Sequence, residues 1–185
     1  MTPSSLRAFV GVRVPPDLAP GYVALQRAIR CPGRIKWVEA ENLHLTLRFL
    51  GRVERADLPA VVSRLRLAAV GVPPASLRAS RVTAFPSERG ARVVTVELAD
   101  AAGSIPLLHA AILRELGAVE DEGHPFRMHV TLGRLAEGKA DLRASLAALP
   151  PPAGSWRAAA FELVESVLGP AGPTYTTLDT FSLGG

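Results

Sequence analysis

Two tetrapeptides in this 185-residue chain carry side chains suited to moving protons, His44-Leu45-Thr46-Leu47 and His129-Val130-Thr131-Leu132. The chain has four histidines, so His-x-Thr is expected by chance roughly 0.2 times. One copy would be a weak signal, but two copies followed by leucine are a strong one. Residues two apart in a strand point to the same face, so His44 shares a face with Thr46 and His129 with Thr131. Imidazole titrates near about 6.5, so one ring can stand neutral as acceptor while the other is charged as donor. Phosphodiester cleavage needs that combination, a base for the attacking oxygen and an acid for the departing one. Attack and departure lie roughly in line across phosphorus, where histidines from two lobes would flank it. The threonine hydroxyls would donate to the non-bridging oxygens, where charge collects in the transition state. The ligand predicted by these residue types is a small phosphoester.

Alternation and turn signals predict the elements that hold the motifs. Leu6 to Val14 reads as a strand stopped by Pro15-Pro16. A helix capped by Asp17 then runs to about Arg30 and ends at Cys31-Pro32-Gly33. Leu43 to Leu50 reads as a strand closed by Gly51. Ala56 to Ala69 has helical spacing, with Leu58, Val61, Val62, Leu65 and Ala69 on one side. Ser76 to Phe85 and Arg92 to Leu98 read as strands across a Pro86-Ser87-Glu88-Arg89-Gly90 turn. The second half repeats this order. A helix spans Ala101 to Gly117, with Gly117 as its stop. The loop Glu120-Asp121-Glu122-Gly123 and a strand from Arg127 to Leu135 follow. Lys139 to Leu149 reads as a helix ended by Pro150-Pro151-Pro152. Phe161 to Leu168 and Tyr175 to Leu183 close the chain around Gly169-Pro170-Ala171-Gly172-Pro173. The motifs sit on the middle strand of each half, 85 residues apart. No segment reads as a flexible linker. The expectation is a single domain, 1–185, of two similar lobes (approximately 1–90 and 91–185) whose motifs face across one groove.

Composition narrows the class. With 48% hydrophobic and 21% charged residues, the chain can build a core, and wholesale disorder is excluded. The single cysteine, Cys31, closes no intramolecular disulfide and builds no zinc cage. No apolar run has the length of a membrane span, and Met1-Thr2-Pro3-Ser4-Ser5 lacks the layout of a signal peptide, so a cytoplasmic protein is expected. The net charge of +4 is carried almost wholly by arginine and favours an anionic partner only weakly. The chain lacks a Gly-rich loop ending in Lys-Ser/Thr, which argues against an ATP-driven ligase. His109 falls in a helical stretch and reads as packing or surface. His124 lies five residues before His129 and so on the opposite strand face, which argues against a metal pair.

In their longer context, His44-Leu45-Thr46-Leu47-Arg48-Phe49-Leu50-Gly51 and His129-Val130-Thr131-Leu132-Gly133-Arg134-Leu135 resemble the two signatures of the 2H phosphoesterase superfamily. The nearest likeness is to the RNA 2′,3′-cyclic phosphodiesterase family, also described as 2′-5′ RNA ligases. The likeness extends over nearly the whole chain, through Arg7-Ala8-Phe9-Val10, Lys36-Trp37-Val38, Phe126 and the Tyr175…Leu178…Phe181…Leu183 ending. Met128 stands where the family usually has proline.

The resemblance implies an α+β fold of two pseudo-symmetric lobes, with mainly antiparallel sheets and outer helices around a central active-site cleft. It implies an enzyme that opens 2′,3′-cyclic phosphate ends of RNA, or small cyclic nucleotides, to 2′-phosphates. Such enzymes use no metal and no cofactor, need no obligate protein partner, and in some cases run the joining reaction. By position, His44 would be the proton donor to the 3′ oxygen, His129 the acceptor that activates water, and Thr46 and Thr131 the phosphate holders. Arg134 matches a family arginine near the phosphate, although strand parity from His129 points it away unless a bulge re-aims it. Parity places Arg48 on the His44 face. Phe49 matches an aromatic position suited to stacking on a base, yet in a leucine-rich strand such a side chain is more often core. Two other classes compete. One is a nucleotide- or RNA-binding module without turnover, against which both histidines are present. The other is a 2H phosphodiesterase of a different 2′-5′-linked or small nucleotide substrate, with specificity in loops such as Arg52 to Asp57 and Glu120 to Pro125.

Overall fold

In β1 (Ser5–Arg13), Leu6, Ala8, Val10 and Val12 bury one face of the strand, while Arg7, Phe9, Gly11 and Arg13 lie on the other. The computed structural model describes residues 4–117, 125–169 and 172–184. The expected Glu120-Asp121-Glu122-Gly123 loop, His124 and the Pro170-Ala171 part of the last turn lie outside them. After β1 come α1 (Ala19–Ala28), β2 (Ile35–Trp37), β3 (His44–Glu54), α2 (Leu58–Ala69), β4 (Ala75–Phe85) and β5 (Val93–Asp100). They are followed by α3 (Ser104–Leu116), β6 (His129–Leu135), α4 (Arg143–Leu146), β7 (Ser155–Ala158), β8 (Ala160–Gly169) and β9 (Gly172–Ser182).

The fold is α+β, with every strand pair antiparallel, as expected. The strands form one curled sheet in the order β7-β4-β5-β6-β3-β1-β8-β9, with β2 also on β6. Its two halves meet at β3 and β6, which share the single pair Leu45 and Val130. Beyond that pair β2 takes over the edge of β6, from Gly133 to Leu135. Each half of the sheet draws on both halves of the chain, whereas the repeat suggests lobes of 1–90 and 91–185. Crossing over through α2, the chain brings β4 to pair with β5, and the β8–β9 hairpin returns to cover the edge of β1. One continuous hydrophobic cluster underlies both halves and includes Leu43, Leu45, Leu47, Val130 and Leu132 from the motif strands. Each such fully buried leucine contributes about 2 kcal/mol, so the motif strands are anchored from below while their polar residues face the other way. Among the described residues no helix is long and apolar enough to cross a membrane.

Several boundaries differ from the sequence expectation for local reasons. Asp17 makes no cap hydrogen bond. The first helix begins at Ala19, whose N–H donates to the Pro15 carbonyl at 3.1 Å, with a proline in its first turn. β3 runs past Gly51 to Glu54, because Gly51 adopts φ +67° at an irregularity of the ladder instead of ending the strand. α3 starts at Ser104, since the Asp100 carboxylate accepts from the N–H groups of Ala102 (3.3 Å) and Ile105 (2.8 Å) and shapes a turn before the helix. The helix expected over Lys139 to Leu149 shrinks to Arg143–Leu146. Ala140 is drawn into a bridge with Ala91, and the Asp141 carboxylate accepts from the Arg143 N–H. The short strands β2 and β7 carry too few residues for a period to register.

Candidate active site

Both motifs lie on the sheet face opposite the core, with His44, Thr46, His129 and Thr131 half-buried and Leu45, Leu47, Val130 and Leu132 buried beneath them. An antiparallel pair centred on Leu45 and Val130 places His44 at the position facing Thr131, and Thr46 at the position facing His129. The four side chains therefore sit at the corners of a quadrilateral, with the two imidazoles on one diagonal and the two hydroxyls on the other.

Each ring is held in the same way. The Nδ1 of His44 donates to the Asn42 carbonyl at 2.6 Å, and the Nδ1 of His129 donates to the Arg127 carbonyl at 2.8 Å. A carbonyl only accepts, so Nδ1 carries the hydrogen in both rings and the exchangeable position is Nε2. Each ring also lies against aromatic surface. His44 stacks on Phe9 (4.6 Å between centroids) and meets the edge of Tyr175 (5.3 Å). His129 meets Phe85 edge-on at 5.0 Å, and the Arg127 guanidinium lies 5.5 Å from the centre of the same phenyl ring. Burial against these rings pushes both imidazoles below the ordinary histidine value. The carbonyl bonds oppose that shift in both. Arg13 and His129 reinforce it at His44, and Arg134 does so at His129.

The ladder explains where the two arginines go. On β3 the register passes from Gly11–Thr46 to Val10–Arg48, leaving Leu47 as an extra residue. On β6 it passes from Thr95–Thr131 to Val94–Gly133, leaving Leu132 as an extra residue. Each motif thus carries a bulge one residue after its threonine, and every later side chain changes face. Arg48, placed by simple parity beside His44, instead stands opposite buried Val10, and its Nη1 donates to the Ile112 carbonyl of α3 at 3.5 Å. The position after Arg48 returns to the groove. Phe49 stands opposite Phe9 and is 65% exposed, so it is not a core residue. Its counterpart on β6 is Arg134, exposed on the groove face and close enough for its charge to act on both His129 and Tyr175. The Leu132 carbonyl at the second bulge accepts from the Val38 N–H (2.8 Å) and from Nε2 of buried Gln26 (3.0 Å). Gly133 is required there, because a Cβ would lie 2.6 Å from Ile35 and 2.7 Å from Trp37.

Sequence reasoning did not place Gly11, Arg13, Glu162 or Tyr175 at the site. They line a small pocket beside His44, in which Arg13 donates to Glu162 at 3.0 Å, Thr177 at 3.2 Å and the Glu41 carbonyl at 2.7 Å. Alternation on β1 puts Gly11 and Arg13 on one face with Phe9, but only strand order shows that this face adjoins His44. A Cβ at Gly11 would lie 2.8 Å from the Leu45 carbonyl oxygen and 3.5 Å from the His44 ring. Gly11→Ala is expected to destabilise by about 1–3 kcal/mol and to lower kcat more than it raises KM, because the Leu45 carbonyl, between His44 and Thr46 on the motif strand, must give way. A thermal melt read beside Michaelis kinetics checks this, and unchanged kcat would show that the placing of His44 and Thr46 does not depend on the close approach of β1 to β3.

Residues 12–95 match the LigT like Phosphoesterase family, a span that includes the first motif. The chain is 35% identical to an RNA 2′,3′-cyclic phosphodiesterase of Thermus thermophilus, over 97% of this chain and 91% of the relative. It is 28% identical to an RNA 2′,3′-cyclic phosphodiesterase of Archaeoglobus fulgidus, over 95% of this chain and 99% of the relative. Among solved structures, TT0787 of Thermus thermophilus superposes with a TM-score of 0.76 at 30% identity, covering 96% of this chain and 98% of that one.

Proposed function

The chain belongs to the LigT-like phosphoesterase family, with the RNA 2′,3′-cyclic phosphodiesterases, and we propose that it opens RNA 2′,3′-cyclic phosphates, with His44 and His129 as paired acid and base and without a metal. The observation that carries this reading is the matched pair of Nδ1–carbonyl bonds, which leaves two Nε2 atoms on one face, diagonal to one another. A phosphate seated between the rings has one Nε2 on the side of attack and the other on the side of departure. His129, neutral, takes a proton from water as its oxygen bonds to phosphorus. His44, protonated, gives its proton to the 3′ oxygen as that P–O bond breaks, and the phosphate remains on the 2′ oxygen. Thr46 and Thr131 donate to the non-bridging oxygens, and Arg134 offsets the growing negative charge. Base, acid and oxyanion donors are all supplied by side chains. Among the described residues no three His, Cys, Asp or Glu side chains are grouped to hold a metal. A 5′ hydroxyl taking the place of water would leave a 2′-5′ phosphodiester, the joining reaction.

Phosphorus NMR tests the reading on a 2′,3′-cyclic nucleotide and on RNA with a 2′,3′-cyclic end, both in excess chelator. Conversion to the 2′-phosphate is expected. A 3′-phosphate product, or no conversion of either substrate, overturns the reading.

The rings also predict a pH signature. Both imidazoles are lowered from their ordinary value, so the free enzyme is mostly doubly neutral at pH 7. The form with one proton across the pair is populated mainly below about 6.5. The ratio kcat/KM reports the free enzyme and therefore falls as pH rises above about 6.5. A bound phosphodiester anion favours the charged imidazole, so the alkaline limb of kcat lies at higher pH than that of kcat/KM. A kcat/KM profile flat between about pH 5 and 8 would contradict paired histidine catalysis.

A further inference from the structure

The groove face continues past the reacting groups along β1 and β3. On β1 it is made by Arg13, Gly11, Phe9 and Arg7 in turn, alternating with buried Val12, Val10, Ala8 and Leu6. On β3 a second irregularity, at Leu50, restores the register, so Ala8 stands opposite Gly51 and Arg7 opposite Arg52. Directly opposed residues of an antiparallel pair share a face. The groove therefore presents, in order, the histidine–threonine centre, exposed Phe49 backed by buried Phe9 with ring centroids 6.2 Å apart, and then two exposed arginines.

We propose that Arg7 and Arg52 form a second subsite, which binds a backbone phosphate of the RNA strand upstream of the cyclic end; this rests on the reading of the substrate as an RNA terminus. Like charges directly opposite in a sheet repel, and neither guanidinium has a hydrogen bond or ion pair to any described residue. Glu165 of β8 stands opposite Ala8, hence on the other face, and is paired with Arg55. Glu54 lies opposite Ser5, two pairs further out, and neither carboxylate forms an ion pair with Arg7 or Arg52. An anion between the two guanidiniums relieves the repulsion, and a phosphodiester suits their forked donors. The spacing also matches a strand. Arg7 lies four residues along β1 from Gly11, which faces Thr46, or about 13 Å at roughly 3.3 Å per residue. An aromatic step followed by paired cations is the order in which a single strand offers a base and then its backbone. A cyclic mononucleotide ends before the arginines, whereas an oligonucleotide reaches them. The subsite reads backbone and not base, so it adds affinity without sequence preference.

The test compares a 2′,3′-cyclic mononucleotide with a short RNA carrying the same cyclic terminal nucleotide, using the wild type, R7Q, R52Q and R7Q/R52Q. The double variant is expected to raise KM for the RNA by about 10-fold or more and to leave mononucleotide kinetics within about twofold. Its log–log salt dependence on the RNA should be shallower by about 0.7 for each phosphate that is no longer neutralised. Melting should be no lower than in the wild type, because a repulsive pair has been removed. Equal losses on both substrates, or no change on either, overturn the subsite. If the wild type converts neither substrate, it is the reading of the substrate that fails, and the mononucleotide arm identifies that case.

Discussion

His44→Ala and His129→Ala are each expected to lower kcat on a 2′,3′-cyclic nucleotide by on the order of 10²- to 10⁴-fold, the range for removal of a positioned acid or base. The fold should survive both changes. The rings lie half-buried on the groove face, and the leucines and valines beside them form the core. Combining the two changes should cost much less than the product of the single losses, because a proton donor without its acceptor does little. Asparagine separates orientation from proton transfer. Its amide nitrogen sits near the Nδ1 position and can still donate to the Asn42 or Arg127 carbonyl, yet it offers nothing at Nε2. His44→Asn and His129→Asn should therefore melt close to the wild type and be as inactive as the alanine variants. Near-wild-type turnover by either asparagine variant, measured alongside a thermal melt, would remove the imidazoles from the reaction.

The second large effect separates two arginines that look alike in the sequence. Arg134→Gln should lower kcat/KM by on the order of 10- to 100-fold, the loss expected for a hydrogen bond to a charged group, with little change in melting. Arg48→Gln should show the reverse. Its guanidinium is directed to the Ile112 carbonyl of α3, so the substitution should cost stability and leave kcat largely intact. Kinetics and melting curves on both variants decide the matter. If Arg48→Gln gives the larger catalytic loss, the bulges do not set which arginine faces the phosphate.

These two residues also show where strand parity stops being informative. Counting in twos from His44 and His129 places Arg48 in the groove and Arg134 out of it, and the ladder reverses both. The extra residue is a leucine in each motif, Leu47 and Leu132, and both are buried like their neighbours. Nothing in the side-chain types marks the bulge. It arises where the partner strand advances one residue while the motif strand advances two, so it is a property of the pair. Phe49 departs from the core expectation for the same reason, since a phenylalanine in an apolar strand is core only if the strand keeps its register. The one local hint is Gly133, a strand glycine that the close passage of Ile35 and Trp37 requires.

The chain's own residue pattern was sufficient to bring the candidate groups to one face and to specify most of the scaffold. A repeated His-x-Thr needs only the two-residue period of a strand to bring imidazole and hydroxyl to one face. Alternating Leu6, Ala8, Val10 and Val12, or Leu45 and Leu47, specify strands because burial of one face is a local demand on residue type. Short-range information of that kind survives without a partner. The meeting of β3 and β6 at Leu45 and Val130, the interleaving of both chain halves in one sheet, and the pocket of Arg13, Glu162 and Tyr175 beside His44 were decided only by tertiary structure. Strand order and register depend on backbone hydrogen bonds between segments far apart in the chain, and every backbone carries the same donors and acceptors. Which strand lies beside which, and where a ladder slips by one residue, is therefore settled by packing of the whole.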